Sequence, residues 1–169
     1  MIRLAMRQHK QVCLLLSGLS VALWIWPQAV AAQSPQCRVR ITMVRFGDYD
    51  PASHTPADSV GNVRIRCRRL GQGSQQVAYT ISLSTGLSGS YQPRHMTQQQ
   101  SPLQYNLYTD TARHQIWGDG SGSTAVVSDR YQLGTSSVTR DYPVYGRIPT
   151  SQDVRPGRYR DTLVVTVAF

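Results

Sequence analysis

Apolar and polar residues alternate with period two along most of this 169-residue chain. That is the pattern of half-buried strands rather than of helices. Over residues 37–44, Cys37, Val39, Ile41 and Met43 share one side, and Arg38, Arg40 and Thr42 share the other. Residues 62–67 repeat the arrangement, with Val63, Ile65 and Cys67 set against Arg64 and Arg66. Residues 77–83 turn Val77, Tyr79, Ile81 and Leu83 to one face, and 103–107 do the same with Leu103, Tyr105 and Leu107. Shorter strands are expected at 115–117, 125–128, 131–133 and 139–148. The connectors at 47–61, 71–76, 85–93, 118–124 and 149–157 are rich in Gly, Ser, Pro and Asp, whose turn chemistry ends strands. No amphipathic helix is expected beyond the first 32 residues.

The alternation is strictest at residues 159–169. Tyr159, Asp161, Leu163, Val165, Val167 and Phe169 fall on one face, and Arg160, Thr162, Val164, Thr166 and Ala168 on the other. Proteins blunt exposed strand edges with charge, proline or bulges. From Leu163 onward this segment has neither a charge nor a proline. With no later segment to pair with it, the outer edge is expected to pair elsewhere in its own sheet or to serve a partner.

The first 32 residues read differently. Arg3, Arg7, His9 and Lys10 make a basic start, residues 12–26 an apolar stretch, and residues 27–32 a small-residue exit. That order predicts a secretory signal peptide cleaved after Ala31 or Ala32. The apolar run is interrupted by Ser17, Gly18 and Ser20 and is short for a bilayer span, so stable membrane insertion is not expected. Cleavage leaves 137 residues, 33–169, as one domain, long enough to bury a core. Cys13 goes with the leader, and Cys37 and Cys67 remain as an even pair in an exported chain, which predicts one disulfide.

Loss of Arg3, Arg7 and Lys10 lowers the net charge from +9 to +6, and every remaining cation is arginine. The arginines are dispersed except for Arg64, Arg66, Arg68 and Arg69. Arg64, Arg66 and Arg68 are the candidate polyanion face, although a solvated strand face explains them as well. Several short strands separated by turn clusters predict an all-β antiparallel sandwich.

Catalytic chemistry is not in evidence. His54, His95 and His114 lack metal-ligand spacing, and no metal or other cofactor is expected. Asp119, in Trp117-Gly118-Asp119-Gly120-Ser121-Gly122, belongs to a glycine-rich turn rather than a cation loop. The chain has no glutamate, no evident aspartate pair and no nucleophile elbow. A non-enzyme is expected.

The motifs are specific in combination. Cys37, Phe46-Gly47-Asp48-Tyr49-Asp50-Pro51 and Cys67 open the domain. Tyr79-Thr80-Ile81-Ser82-Leu83, Gly89-Ser90-Tyr91 and Arg94-His95-Met96 follow. Next come Leu103-Gln104-Tyr105-Asn106-Leu107-Tyr108-Thr109-Asp110 and Trp117-Gly118-Asp119-Gly120. Val144-Tyr145-Gly146-Arg147-Ile148-Pro149 and Gly157-Arg158-Tyr159-Arg160-Asp161-Thr162-Leu163 close the series. In this order they resemble the spore coat protein U domain family, which includes pilins of the archaic, Csu-type chaperone–usher pili. The resemblance runs over nearly all of 37–169.

The resemblance implies an immunoglobulin-like sandwich lacking its final strand. A periplasmic chaperone would lend that strand, and a neighbouring pilin subunit delivered through an outer-membrane usher would later replace it. Leu163, Val165, Val167 and Phe169 would line one rim of the acceptor groove, and the Phe169 carboxylate would meet basic residues of the chaperone. One departure stands out. Gln33, Ser34, Pro35 and Gln36 cannot fill a row of apolar pockets, and Pro35 lacks a donor for pairing. The subunit is therefore expected to accept a strand without giving one, at a tip or distal position. It would act in surface attachment and biofilm, passing from the periplasm to the cell surface. Alternatives are a freestanding envelope or spore-coat-type protein and a secreted glycan-binding module. Nucleic acid is not an expected partner.

Overall fold

The computed structural model describes residues 34–98, 101–134 and 136–169. The leader expected over 1–32 lies outside them. Among the described residues the alternating segments form eight strands: β1 Gln36–Thr42, β2 Ala57–Arg68, β3 Gln75–Leu83, β4 Arg94–Gln98, β5 Ser101–Tyr108, β6 Val127–Leu133, β7 Ser137–Ile148 and β8 Val165–Ala168. They make two antiparallel sheets, β1-β2-β7-β5-β4 and β6-β3-β8. Their inner faces share one core, in which Val63, Ile65, Cys67, Val77, Tyr79, Ile81, Leu83, Leu133 and Ile148 are buried. The all-β sandwich expected from the pattern is present.

Several boundaries differ from expectation. β2 begins at Ala57, inside the stretch expected to be a connector, and β4 occupies a segment without an assigned strand. Residues 115–117 and 125 make only isolated bridges, Tyr108 with Ile116 and Trp117 with Ala125. The expected strands at 125–128 and 131–133 are one strand, β6. The expected long strand at 159–169 is ladder-paired only over Val165–Ala168, with Arg160 bridging Thr97. Its alternation nevertheless survives: Tyr159, Asp161, Leu163, Val165 and Val167 are half-buried and the residues between them exposed.

The early start of β2 has a local cause. After β1 the chain crosses the inner face of its own sheet, where β2 and β7 present glycines. A Cβ on Gly61 would lie 2.6 Å from the Thr42 carbonyl oxygen, and one on Gly146 would lie 2.8 Å from the Phe46 ring. Only bare backbone admits that crossing.

Arg94 is the unexpected member of the core: a fully buried guanidinium. Nη1 donates to Asn106 Oδ1 at 2.7 Å, Nη2 to the carbonyls of Trp117 at 2.7 Å and Ser84 at 3.0 Å, and Nε to Ser84 at 3.2 Å. The Tyr91 ring lies 4.9 Å from its Cζ. Burial pushes the Arg94 pKa down, and the neighbouring Tyr105 oxygen opposes that shift.

Candidate functional site

The core is sealed under β2 and β3 but not under β1 and β8, two of the four edge strands. Val63, Ile65 and Cys67 on β2 are all 0% exposed. Their β1 partners lie directly opposite, and of these Val39 is 39% and Ile41 54% exposed, with Met43 beyond them at 65%. These β1 side chains share the inner face with their partners, because directly opposed antiparallel residues point the same way. β8 shows the same shortfall. Leu163, Val165 and Val167 pack against the core yet stay half-buried, and Phe169 is 67% exposed.

Both edges are also open in hydrogen bonding. Among the described residues β8 pairs only with β3, and β1 only with β2. The Ser84 amide donates to the Val164 carbonyl at 3.0 Å. In the register Ser82 to Thr166 and Thr80 to Ala168, alternate residues exchange bonds with β3, which turns the amides of Val165 and Val167 toward the free edge.

The chain that leaves β1 and the chain that enters β8 form the two walls of a cleft of about 620 Å³, with Val44–Tyr49 on one side and Val154–Arg160 on the other. Its floor reaches Met96, Leu103 and Ile148, so an apolar insert would touch the core directly. Aromatic residues fix the walls. Phe46 packs edge-on against Tyr105 at 6.1 Å. Tyr49 donates to the Pro149 carbonyl and accepts from the Gln152 amide, both at 3.0 Å. Tyr159 donates to the Arg155 carbonyl at 2.8 Å. Asp161 anchors the strand entry, accepting from the Tyr105 hydroxyl and from the Leu87 amide at 2.8 Å. Burial, with the Asp161 hydrogen bond second, drives the Tyr105 hydroxyl pKa far up.

The expected rim residues are thus divided. Leu163, Val165 and Val167 sit on the open edge beyond the cleft. Phe169 lies at the end of β8 with its ring edge-on to Tyr79 at 5.5 Å. There Tyr79 and Tyr142 tie the two sheets together through a hydroxyl pair at 2.6 Å, and Tyr142 donates to Asp129. Burial pushes the Tyr79 pKa up to about 12. Phe46, Tyr49 and Met96 went unrecognised as site residues. Phe46 and Tyr49 lie in a motif with turn composition, and Met96 lies in a strand with too few apolar residues to register.

Cys37 and Cys67 form the expected disulfide, with S–S 2.04 Å, between directly opposed residues of β1 and β2. Among the described residues no three His, Cys, Asp or Glu side chains gather as a metal site. Asp119 is engaged locally by the Ser121 amide and hydroxyl. No helix of the described residues is long and apolar enough to cross a membrane.

Arg64, Arg66 and Arg68 stand exposed on the outer face of β2. Arg64 is bidentate to Asp141 at 2.7 and 3.1 Å, Arg66 donates to Ser137 Oγ at 3.4 Å, and Arg68 to Gln36 Oε1 at 3.2 Å. Elsewhere on this sheet Asp58 takes two bonds from Arg147, at 2.7 and 2.8 Å, which hold its carboxyl below the usual range. A depressed folded pKa means that the unfolded chain takes up the proton first as pH falls. The pair's stabilisation is complete above about pH 4 and is lost as pH drops through the folded value. We therefore expect Asp58→Asn to flatten the fall in urea midpoint on acidification below about pH 4. An unchanged acid limb would show that the pair contributes nothing.

Comparison with known proteins places this geometry. The Spore Coat Protein U domain family model matches residues 25–166. Protein U of Myxococcus xanthus is 29% identical over 133 residues, covering 75% of this chain and 71% of that protein. Among solved structures, the chain resembles the chaperone–tip adhesion subunit pre-assembly complex from the archaic chaperone-usher Csu pili of Acinetobacter baumannii. The TM-score there is 0.51 at 24% identity, over 80% of this chain. This chain spans 40% of the length of that solved chain, and the likeness is one of fold.

Proposed function

Since the chain belongs to the Spore Coat Protein U domain family, we propose that it is an exported, non-catalytic, strand-accepting subunit of a chaperone–usher-type surface fibre. The observation that carries this reading is the pair of unsealed edges. β1 and β8 each hold apolar side chains over the core with too little cover, and among the described residues each is paired along one side only. A strand added along β8 would pair its free backbone edge and cover its apolar row at once, the main chain supplying affinity and alternate side chains packing over the core. A periplasmic chaperone would supply that strand first and a neighbouring subunit's segment later, after passage through an outer-membrane usher. A tip or distal place, with a role in attachment and biofilm, belongs to the same proposal. It is supported by the polar, proline-containing residues 33–36.

The second reading is a coat-type protein whose open edge is covered by a sister copy, which the family's description supports. Co-expression separates the two. With a chaperone from the same gene neighbourhood, the full chain is expected to accumulate and to co-purify with it in equimolar amount. Without the chaperone, the chain is expected to aggregate or be degraded. A stable homodimer formed without any chaperone would favour the coat-type protein. A monomer that melts cooperatively on its own would overturn both.

A further inference from the structure

The outer face of β1 and β2 carries an arginine ladder. The register sets Arg38 directly opposite Arg66 and Arg40 opposite Arg64, with Arg68 next in line opposite Gln36. All five arginines are exposed. Asp141 pairs with Arg64. Among the described residues, Arg38, Arg40, Arg66 and Arg68 have no carboxylate within ion-pair distance. Like charges directly opposed across an antiparallel pair destabilise it. A strand pair serving the fold alone has no reason to repeat that arrangement twice.

The chemistry of the face selects its ligand. Arginines spaced about 5 Å across the strands and about 7 Å along them present forked donors in two rows. Such forks match carboxylate and sulfate oxygens bidentately. Neither β1 nor β2 contains an aromatic side chain, so the face lacks the stacking platforms that single-stranded nucleic acids use. Because β1 is an edge strand, a long polymer can run past it. The ladder also lies on the side of the sheet opposite the core, so its occupancy leaves the strand-accepting edge free. We propose that this ladder binds an acidic polysaccharide, a carboxylated or sulfated glycan, through the charge density of its guanidinium rows. The site is independent of strand acceptance, so either reading can fail without the other.

The test uses the full exported chain, together with any partner that co-purifies. The probes are polygalacturonate, dextran sulfate, neutral dextran and an oligo-thymidine of similar length. At least one acidic glycan should bind, weakening at least about tenfold from low to physiological salt, and neutral dextran should not. Binding by only one of the two supports the proposal and identifies the anion. The Arg38→Gln/Arg66→Gln variant should lose at least about tenfold in affinity while melting no lower than the parent. Arg130→Gln, which removes an exposed charge from the other sheet, should stay within about twofold. Unchanged affinity in the double variant, an equal loss per charge at Arg130, or tighter binding of oligo-thymidine would overturn the proposal. Footprinting of the parent chain with phenylglyoxal needs no variant. Bound glycan should protect Arg38, Arg40 and Arg66, and absence of protection would refute the site.

Discussion

Replacing Arg94 with methionine is expected to lower unfolding stability by about 2–5 kcal/mol, the range for stranding two buried hydrogen-bond acceptors. The side chain sits at 0% exposure and bonds three separate segments: the end of β3 at Ser84, β5 at Asn106 and the bridge segment at Trp117. Methionine fills much of the volume but leaves the buried Ser84 and Trp117 carbonyls without donors, at about 1–3 kcal/mol each where water cannot reach, while Asn106 Oδ1 keeps the Leu107 amide at 3.1 Å. Trp117 magnifies the loss. It is 1% exposed, and its indole N–H donates to the Ile81 carbonyl at 3.1 Å, so its segment links both sheets. Arg94→Lys should recover only part of the deficit, because one ammonium cannot span acceptors placed for a planar fork. Denaturant melts of the chain in its most stable assembled form provide the measurement. A change below about 1 kcal/mol would place Arg94 among ordinary surface-like contacts.

Removing the disulfide is expected to cost about 3–4 kcal/mol in the chain-entropy model for a loop of this size; the cysteines are 30 residues apart. Alanine at both positions is the cleaner substitution, since Cys67 is fully buried and a serine hydroxyl there would add its own desolvation cost. The consequence reaches the site. Among the described residues β1 pairs only with β2 and leaves Val39 and Ile41 exposed, so its packing holds it weakly. The Cys37–Cys67 bond fixes the start of that strand, and the chain beyond its end forms one wall of the cleft. The Cys37→Ala/Cys67→Ala variant should therefore lose strand acceptance along with stability. A variant with full stability and full partner binding would mean that the β1–β2 ladder alone suffices.

The period-two pattern exposed the fold because half-buried strands write their faces directly into sequence. Cys37, Val39 and Ile41, Val63 to Cys67 and Val77 to Leu83 all lie on the sides expected. Ladder pairing was less legible: residues 159–164 keep the alternation of a strand, but only Arg160 finds a bridge, to Thr97. Arg94 could not be read as core, since nothing in Arg94-His95-Met96 says that three distant acceptors will converge on a guanidinium. The cleft walls were equally hidden. Phe46 and Tyr49 stand among glycine, aspartate and proline, and only the crossing over Gly61 and Gly146 brings them to the core. The arginine ladder was half legible, since the alternation put Arg38 and Arg40 on one face but not in register with Arg66 and Arg64.

The most direct test of the central claim is amide hydrogen exchange at Val165 and Val167, in the chain alone and in the chain bound to a strand-donating partner. Their side chains face the core while their N–H groups face an edge that no segment of the described chain occupies. Those two amides are expected to exchange rapidly in the free chain, and to slow by orders of magnitude once a donated strand accepts their hydrogen bonds. Equal protection in the two states, or strong protection at both positions in the free chain, would show that the edge is already closed and would contradict the account.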